Sequence, residues 1–282
     1  MVNEETVRLI FFFGVLIIVA LWELLAPRRK LTMSKPVRWA SNLGIVFIDT
    51  AIVKLIFPVL AIHVAFVAQE NSWGLLNNIT LPYWVEVAIG ILILDGIIYL
   101  QHVMFHAVPL LWRLHMMHHA DLDYDVTTGL RFHPLEIIMS MVIKMASIAA
   151  LGASPVTVVL FEIILNATAM FNHGNIKLPL GLDAVLRLLV VTPDMHRVHH
   201  SVTIRETNSN FGFNFPWWDR LFGTYRAQPA AGHEGMTIGL AQFRDPGKNN
   251  LIGMLVLPFT GKTGSYSINT WGKDPDVLKR DQ

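Results

Sequence analysis

The sequence predicts an all-α integral membrane protein, with about four membrane-embedded helices and a cytosolic helical cap that holds a histidine-rich site for two metals. The chain of 282 residues is 53% hydrophobic and only 15% charged, with a mean hydropathy of +0.46, whereas an average soluble domain is roughly 25% charged. Its apolar residues gather in segments long enough to cross a bilayer. Its histidines gather in three short clusters. An apolar membrane part and a polar metal-binding part are therefore expected.

The N-terminal region, residues 1–81, contains the first two predicted spans. Residues 9–26 are apolar apart from Glu23 and are followed by a proline and three basic residues. A signal peptide would carry its positive charge before the apolar segment, so we predict a retained transmembrane helix. Because Lys and Arg are enriched in cytoplasmic loops, the basic loop 27–41 places the C-terminal end of this helix in the cytoplasm. Residues 43–68 form the second predicted span.

The third predicted span, residues 82–101, returns to the cytoplasm and ends at the first histidine cluster. Four polar residues follow one another here at helical spacing and form one stripe on an otherwise apolar helix. They are Asp95, Tyr99, His102 and His106. Metal-bound histidines are usually oriented by a hydrogen-bond partner. We therefore predict that Asp95 or Tyr99 orients a ligating imidazole, and a single buried Asp–Tyr hydrogen bond is the alternative.

Two shorter apolar segments, 135–151 and 155–171, are separated by a Gly-Ala-Ser-Pro turn. Each is short for a span at about 1.5 Å per residue. If only one of them crossed the membrane, the histidines before and after the pair would lie on opposite faces and could not share a site. We therefore predict a hairpin, either spanning or re-entrant, and about four membrane-embedded segments in total.

Residues 227–282 are predicted to be a polar C-terminal extension that lies over the cap or on the membrane. The extension is rich in polar residues, Gly and Pro, and its apolar stretch Leu251–Thr260 is too short to span a bilayer. His233, in this extension, is expected to be solvated. His63, alone in the second span, is expected to pack or to form a hydrogen bond.

Charge and cysteine content exclude several classes of protein. The formal net charge is +1 and there is no basic block, so no nucleic-acid partner is expected. The chain contains no cysteine, which excludes a disulfide framework, a thiolate zinc site and a cysteine-ligated iron–sulfur cluster within it. We find no dinucleotide-binding glycine motif and no P-loop. Electrons for any redox chemistry must therefore come from a separate donor.

The histidines carry most of the functional information. Eight of the 12 lie in three clusters, two of which share the pattern His-x-x-His-His, so coincidence is a poor explanation. On a helix, residues three or four positions apart lie on one face, so each cluster is expected to present its imidazoles in one direction. A structural zinc takes only about four ligands, so eight converging imidazoles indicate two metals. The clustered histidines are His102, His106, His115, His118, His119, His196, His199 and His200.

Imidazole ligands suit both zinc and iron. The sequence has no water-activating motif such as His-Glu-x-x-His, which argues against a zinc-dependent hydrolase. Iron at the ends of apolar helices instead suits oxidation of a lipid chain by dioxygen. A metal transporter, the remaining alternative, would distribute polar residues through the depth of the bilayer, whereas these histidines gather at one face.

The clusters and the residues around them resemble the fatty acid hydroxylase/sterol desaturase superfamily of membrane di-iron enzymes, over about residues 90–226. Besides the clusters, the matching motifs are Leu111-Trp112-Arg113-Leu114-His115, Arg131-Phe132-His133-Pro134-Leu135-Glu136, Phe171-Asn172-His173-Gly174-Asn175, Thr192-Pro193-Asp194-Met195-His196 and Trp218-Asp219-Arg220-Leu221-Phe222-Gly223-Thr224-Tyr225. The resemblance implies a catalytic domain over residues 82–226. In that domain two iron ions, dioxygen and two electrons would hydroxylate or desaturate a lipid.

The same resemblance implies two further site residues. His173 is implied as a ninth metal ligand, contributed between the second and third clusters. His133 is implied either as a tenth ligand or as a residue that orients a ligand, and we favour the second role. The predicted metal ligands are thus His102, His106, His115, His118, His119, His173, His196, His199 and His200.

The ligand set does not separate hydroxylation from desaturation. Both reactions begin with removal of a hydrogen atom from the lipid, and they diverge in whether oxygen is added or a second hydrogen leaves, which depends on substrate placement. We predict hydroxylation, because the compact chain without a fused cytochrome domain resembles the hydroxylase members. The resemblance also implies a separate electron donor, namely a ferredoxin, a cytochrome b5 type carrier or a reductase, or a pterin as in some relatives. The predicted location is the bacterial inner membrane or the endoplasmic reticulum, with the active site on the cytoplasmic side.

Overall fold

Helices form every regular element in residues 4–57, 61–260 and 263–268, the parts of the chain that the computed structural model describes. The β-type pairings in these parts are two isolated bridges. The predicted all-α class is therefore confirmed. The longer helices are α1 (Glu4–Leu25), α2 (Lys35–Ile56), α3 (Ala61–Glu70), α4 (Tyr83–Ala107), α5 (Pro109–His119), α6 (Pro134–Leu151) and α7 (Pro155–Asn172). The shorter helices are α8 (Leu180–Leu186), α9 (Pro193–His199), α10 (Ile204–Thr207), α11 (Trp217–Leu221), α12 (Gly232–Gly235) and α13 (Leu251–Val256). Short 3-10 turns cover Leu76–Asn78, Thr128–Leu130, Pro246–Lys248 and Leu257–Phe259.

Five stretches are long and apolar enough to cross a membrane: α1, the stretch Lys35–Glu70 that contains α2 and α3, α4, α6 and α7. The second stretch includes residues 58–60, which lie outside the described parts. The predicted multi-pass architecture is confirmed. The count is five rather than about four, because both arms of the predicted hairpin are helices of 18 residues.

The turn between α6 and α7 follows from the local sequence. Gly152 ends α6 with a φ of 72°, a left-handed conformation that favours glycine. Ser154 caps α7 by accepting the backbone N–H of Thr157, and Pro155 occupies the first turn of that helix. The hairpin returns the chain to the end of the bundle from which α6 starts, so the histidines before and after it can meet, as predicted.

The cap has its own apolar core, in which α5 packs against the C-terminal part of the chain. The core residues are Trp112, Met116, Met117, Ala120, Leu240, Met254, Leu257 and Tyr266, together with Ile45 of α2. Residues 227–260 and 263–268 thus contribute to the interior of the cap instead of only covering it, because several of their apolar side chains are buried against α5. Residues 261–262 and 269–282 of the predicted extension lie outside the described parts.

Buried polar contacts fasten the cap to the membrane helices. Arg38 of α2 donates from Nε and Nη2 to the carboxylate of Asp121, at 2.9 and 2.8 Å, and from Nη1 to Asp125 at 2.6 Å. Burial opposes the ionisation of Asp121, yet Arg38 outweighs it and lowers the pKa of this carboxyl to about 2. Glu23 of α1 accepts two backbone N–H groups from the cap. The cap is therefore held against the ends of α1 and α2.

Candidate metal centre

Nine buried histidines meet where the bundle joins the cap, and they form two groups. Within each group, one nitrogen from every ring lies within 4.8 Å of the corresponding nitrogens of the other rings. The five-histidine group contains His102, His106, His115, His119 and His199. The four-histidine group contains His118, His173, His196 and His200. The structure thus brings together all nine histidines that the sequence proposes as ligands, in two sets.

Helix ends place these side chains. The last turns of α4 carry His102 and His106, and α5, which carries the second cluster, begins two residues after α4 ends. His173 directly follows the last residue of α7. Thr192 caps α9 by accepting the backbone N–H of Met195, so the third cluster begins one turn into this helix, as the sequence predicts.

Each His-x-x-His-His pattern divides between the two groups. His115 and His119, four residues apart, enter the five-histidine group, whereas His118 enters the four-histidine group. The third cluster shows the reverse division. Adjacent residues on a helix point about 100° apart, so adjacent histidines face different sites. The prediction that each cluster presents all its imidazoles in one direction is therefore wrong for these two clusters.

Backbone carbonyl groups fix the outer nitrogens of four rings. Nδ1 of His102 and of His199 lie 2.8 and 2.7 Å from carbonyl oxygens in the segment 209–211. Nδ1 of His118 and of His173 lie 3.1 and 2.8 Å from other carbonyl oxygens. A carbonyl oxygen only accepts, so each of these nitrogens carries the ring proton. The opposite nitrogen, Nε2, is therefore unprotonated when the ring is neutral.

The unprotonated nitrogens face one another inside each group. Nε2 of His102 lies 3.1 Å from Nε2 of His115 and 3.0 Å from Nε2 of His199. Nε2 of His118 lies 3.2 Å from Nε2 of His173. Burial lowers the pKa of His115 and of His173 to about 3, so both rings stay neutral at neutral pH. Lone pairs at these distances repel unless a cation lies between them.

The spacing and chemistry of both groups fit metal ions. Imidazole nitrogens bind metals at about 2.0–2.1 Å, which places neighbouring ligand atoms roughly 3–4 Å apart. In the four-histidine group, both nitrogens of His196 and of His200 are buried without a hydrogen-bond partner among the described residues. Buried polar nitrogens are rarely left unpaired, and a bound metal would satisfy one on each ring. Each group can therefore hold a metal ion.

Comparisons with known proteins agree with this geometry. The model of the fatty acid hydroxylase family matches residues 87–224, a range that contains all nine histidines. The ornithine lipid hydroxylase OlsE of Rhizobium tropici is 27% identical over 95% of this chain and 80% of that protein. The chain belongs to the fatty acid hydroxylase/sterol desaturase superfamily. The resemblance that the motifs indicated is thereby confirmed.

Other members of the superfamily match a smaller part of the chain. Human alkylglycerol monooxygenase is 32% identical over 51% of this chain and 31% of that protein. Rat cholesterol 25-hydroxylase is 25% identical over 51% of this chain and 48% of that protein. The chain thus spans less than half the length of these two relatives. No solved structure matches this chain. Because the matched proteins are hydroxylases and monooxygenases, the predicted class of enzyme, an oxidoreductase, is confirmed.

Two side chains orient histidines of this superfamily member but were not singled out from the sequence. Glu136, in the first turn of α6, lies 2.7 Å from Nδ1 of His115, and the amide oxygen of Asn208 lies 3.1 Å from Nδ1 of His106. A carboxylate in this position raises the basicity of the ligand. A carboxyl group at the start of an apolar helix was a usable signal for Glu136. No local signal pointed to Asn208, because 102 residues separate it from His106.

Asp95 and Tyr99 act on the site only through another segment. Asp95 accepts hydrogen bonds from Trp218 at 2.8 Å and from two backbone N–H groups at 3.3 Å. Tyr99 pairs with the hydroxyl of Thr224 at 2.9 Å. Direct orientation of an imidazole is therefore not observed, and neither is the alternative bond between the two residues. Both side chains instead hold the segment 209–224, whose carbonyl groups receive two of the ligand histidines.

The three remaining histidines lie outside both groups. His133 caps α6, because its Nδ1 accepts the backbone N–H of Leu135 at 3.2 Å, and its Nε2 lies 3.2 Å from a backbone carbonyl oxygen. His63 is exposed on α3 instead of being packed. His233 is 5% exposed instead of being solvated, with Nε2 3.6 Å from the carboxylate of Asp194. Tertiary packing of the C-terminal segment, which the local sequence does not show, buries this side chain.

A cavity of about 460 Å³ between the membrane helices reaches the five-histidine group, where His102, His115 and Glu136 line it. Side chains from α1, α2, α4, α6 and α7 contribute to its wall. Apolar members of the wall include Phe12, Val46, Ile98, Leu130, Met141 and Phe213. A cavity whose apolar wall lies between polar groups at its two ends suits a ligand with a long hydrocarbon part.

Proposed function

We propose that this protein is a membrane di-iron oxygenase that uses dioxygen and two electrons to hydroxylate an unactivated C–H bond of a lipid. The observation that carries the proposal is the pair of neutral, inward-facing imidazole groups beside an apolar cavity. Zinc would suit the same nitrogen ligands. Membership of the superfamily favours iron, which its enzymes typically require.

The five-histidine and four-histidine groups would each hold one iron. When bound, the irons would activate dioxygen so that it can attack a C–H bond. The protein itself fixes the ligands: segment 209–211 and Glu136 bind the outer nitrogens of His102, His199 and His115, so the inner nitrogens stay available. Only the five-histidine group contributes ligand side chains to the cavity wall among the described residues, so the reacting carbon is expected beside that group.

The apolar wall of the cavity indicates the class of substrate. Side chains such as Phe213, Leu130 and Phe12 can enclose a hydrocarbon chain and keep water from it. The relatives are named for ornithine lipids, alkylglycerols and cholesterol, all of which have a large apolar part. Their names also describe hydroxylation or monooxygenation, which supports hydroxylation as our first choice. Desaturation of a lipid at the same site is the second candidate.

The active site is proposed to face the cytoplasm. Both histidine groups lie at the end of the bundle where α1 stops and α2 starts, and the basic loop between these helices is typical of the cytoplasmic side. Electrons would reach the metals from that side. The proposed donor is a ferredoxin, a cytochrome b5 type carrier or a reductase.

Metal analysis tests the proposal first. The protein would be purified in detergent from iron-supplemented cells, and iron per chain would be compared with that of His199→Ala. We expect about two irons in the wild type and a loss in the variant, because His199 belongs to the five-histidine group. His63→Ala, which changes an exposed histidine outside both groups, is the matched control. Zinc alone, even after iron supplementation, would favour a hydrolase instead.

Lipid extracts test the reaction itself. Cells with and without the gene, and cells that express His199→Ala, would be compared by mass spectrometry. A lipid that gains one oxygen only with the active protein supports hydroxylation, and one that loses two hydrogens supports desaturation. No gene-dependent change under aerobic conditions, in cells that contain the iron-loaded protein, would contradict the proposed reaction.

A further inference from the structure

The cavity has a charged end that the proposed reaction does not use. Arg8 of α1, Lys144 of α6 and Glu162 of α7 line this end. The Glu162 carboxylate lies 2.9 Å from Nη1 of Arg8 and 2.8 Å from Nζ of Lys144. The side chains of Glu162 and Lys144 are only 9% and 16% exposed. One carboxylate is therefore shared by two cations within helices that can span the membrane.

This charged end carries one positive charge in excess. The other ionisable groups that line the cavity are engaged elsewhere. Lys54 donates to Glu5 at 3.0 Å. Asp49 has Glu136 as the one charged neighbour that acts on it, and Glu136 is bound to His115, so both carboxyl groups lie toward the histidine end. An uncompensated cation among apolar helices is costly, so the charged end favours an anion.

The free edge of Arg8 has the geometry for a carboxylate. Its Nε and Nη2 are buried, and neither has a hydrogen-bond partner among the described residues. These two nitrogens form the edge of a guanidinium that binds a carboxylate through two parallel hydrogen bonds. The same edge of Arg38 holds Asp121 in this way, at 2.9 and 2.8 Å. Arg8 offers the identical donor pair to the cavity.

We propose that the Arg8–Lys144 end of the cavity binds the carboxylate of an amphipathic acyl lipid whose chain extends to the five-histidine group. This inference rests on the proposed function and names the class of its substrate. The single excess charge matches a monoanion. The apolar wall between the two ends, which includes Ile98, Leu130 and Met141, accommodates the chain.

The length of the cavity fits a reaction in the middle of the chain. Glu136, beside His115, and Lys144 are eight residues apart on α6, which corresponds to about 12 Å along the helix axis. With C–C bonds of about 1.5 Å, an extended chain advances roughly 1.3 Å per carbon and needs about nine carbons to cover this distance. The carbon beside the histidines is therefore distant from the carboxylate.

Direct binding of radiolabelled palmitate to the purified full-length protein tests this proposal. Hexadecanol, which has the same chain without the charge, is the comparison ligand. We expect Arg8→Gln to weaken palmitate binding by about tenfold or more, since it removes a charge-assisted hydrogen-bonding edge, and to leave hexadecanol binding unchanged. Lys54→Gln is the matched control, because Lys54 lines the same cavity but is bound to Glu5. It should bind both ligands as the wild type does.

Arg8→Lys keeps the charge next to Glu162 and removes only the two-nitrogen edge, so it remains informative if Arg8→Gln does not fold. We expect it too to lose palmitate affinity selectively. Equal palmitate affinity in the wild type and in a folded Arg8 variant would overturn the proposal. So would displacement of palmitate by acetate at the same concentration, because the site would then bind small anions without a chain. Binding is measured without turnover, so failure here is distinct from failure of the iron and lipid tests.

Discussion

At the scale of single residues, the direction of each imidazole determines which of the two histidine groups it joins. His118 and His119 are adjacent in the chain but belong to different groups. Their side chains leave α5 about 100° apart, so one helix supplies ligands to two sites. The same division in α9 makes both sites depend on both helices.

Single substitutions of these two neighbours should therefore remove different metals. We expect His119→Ala to weaken binding at the five-histidine group and His118→Ala to weaken binding at the four-histidine group, each by at least about tenfold. Iron per chain after dialysis against a chelator should fall to about one in each single variant and near zero in the double variant. Loss of all iron from either single variant would show that the groups are not independent.

Glu136 should tune the metal site without being a ligand. Glu136→Gln keeps an oxygen that can accept from His115 but removes the negative charge, so we expect metal affinity at the five-histidine group to fall by roughly 10-fold. The measurement is a chelator competition titration. Ser140→Ala, one turn further along α6 and lining the same cavity, is the control. Equal affinities in Glu136→Gln and in the wild type would contradict this role.

At the scale of elements, the segment 209–224 completes the site by holding two of its histidines. The segment 209–224 is bound to the C-terminal half of α4 through Asp95, Tyr99 and His102, and its carbonyl groups accept from two of the clustered histidines. Asp95 holds that segment by accepting hydrogen bonds from the indole N–H of Trp218 and from two backbone N–H groups. Its contribution to metal binding therefore passes through the backbone.

Asp95→Asn should have a partial effect. An amide keeps one accepting oxygen but turns an N–H group toward the donors of the segment, so the segment is expected to shift without unfolding. Iron retention in a chelator should fall several-fold, less than in His199→Ala. In Trp218→Phe, which removes a single donor to Asp95, iron retention should fall less still. An effect of Asp95→Asn as complete as ligand loss would contradict an indirect role.

The segment that carries His233 should make stability dependent on pH. Burial lowers the pKa of His233 to about 4, although Asp194 favours the charged form, whereas an unfolded histidine titrates near about 6.5. As the pH falls from about 6.5 toward 4, the unfolded chain binds a proton that the folded protein does not, so stability falls.

His233→Asn should reduce this loss. The measurement is the difference in thermal midpoint between about pH 7, above both pKa values, and about pH 5, between them. His63→Asn changes an exposed histidine and should leave the difference as it is in the wild type. If His233→Asn retains the whole difference, the charge on His233 does not contribute to it.

At the scale of the whole molecule, five candidate spans converge on one cap. The helices α1, α2, α4, α6 and α7 all end or begin where the histidines lie. One span, Lys35–Glu70, separates the loop after α1 from the loop after α3 and places them at opposite ends of the bundle. The topology is therefore testable at three positions.

Impermeant maleimide labelling of single-cysteine variants should show this topology. The chain has no cysteine of its own, so the background is clean. Lys30→Cys and Lys177→Cys, both at exposed positions, should be labelled from the cytoplasmic side, and Thr80→Cys should be labelled from the opposite side. Iron content of each variant serves as the control for folding. Labelling of Lys30→Cys and Lys177→Cys from different sides would contradict the hairpin formed by α6 and α7.

The sequence by itself determined the apolar segments, the hairpin and eight of the nine histidines that meet at the site. These features depend on local properties, namely the length of apolar segments, Gly and Pro at turns, and residues repeated at helical spacing. Each is visible within a single continuous stretch of the chain. The motifs around the clusters also identified the superfamily before any geometry was known.

Only the tertiary structure decided how the histidines divide between the two groups and which neighbouring groups hold them in place. The partners of His106 and His102 lie 102 and 109 residues away, and the charged end of the cavity joins three helices. Helical periodicity gives the direction of a side chain relative to its own helix. What lies in that direction depends on how distant segments pack, which no local pattern records. For the same reason His233 is buried in a stretch whose composition is polar.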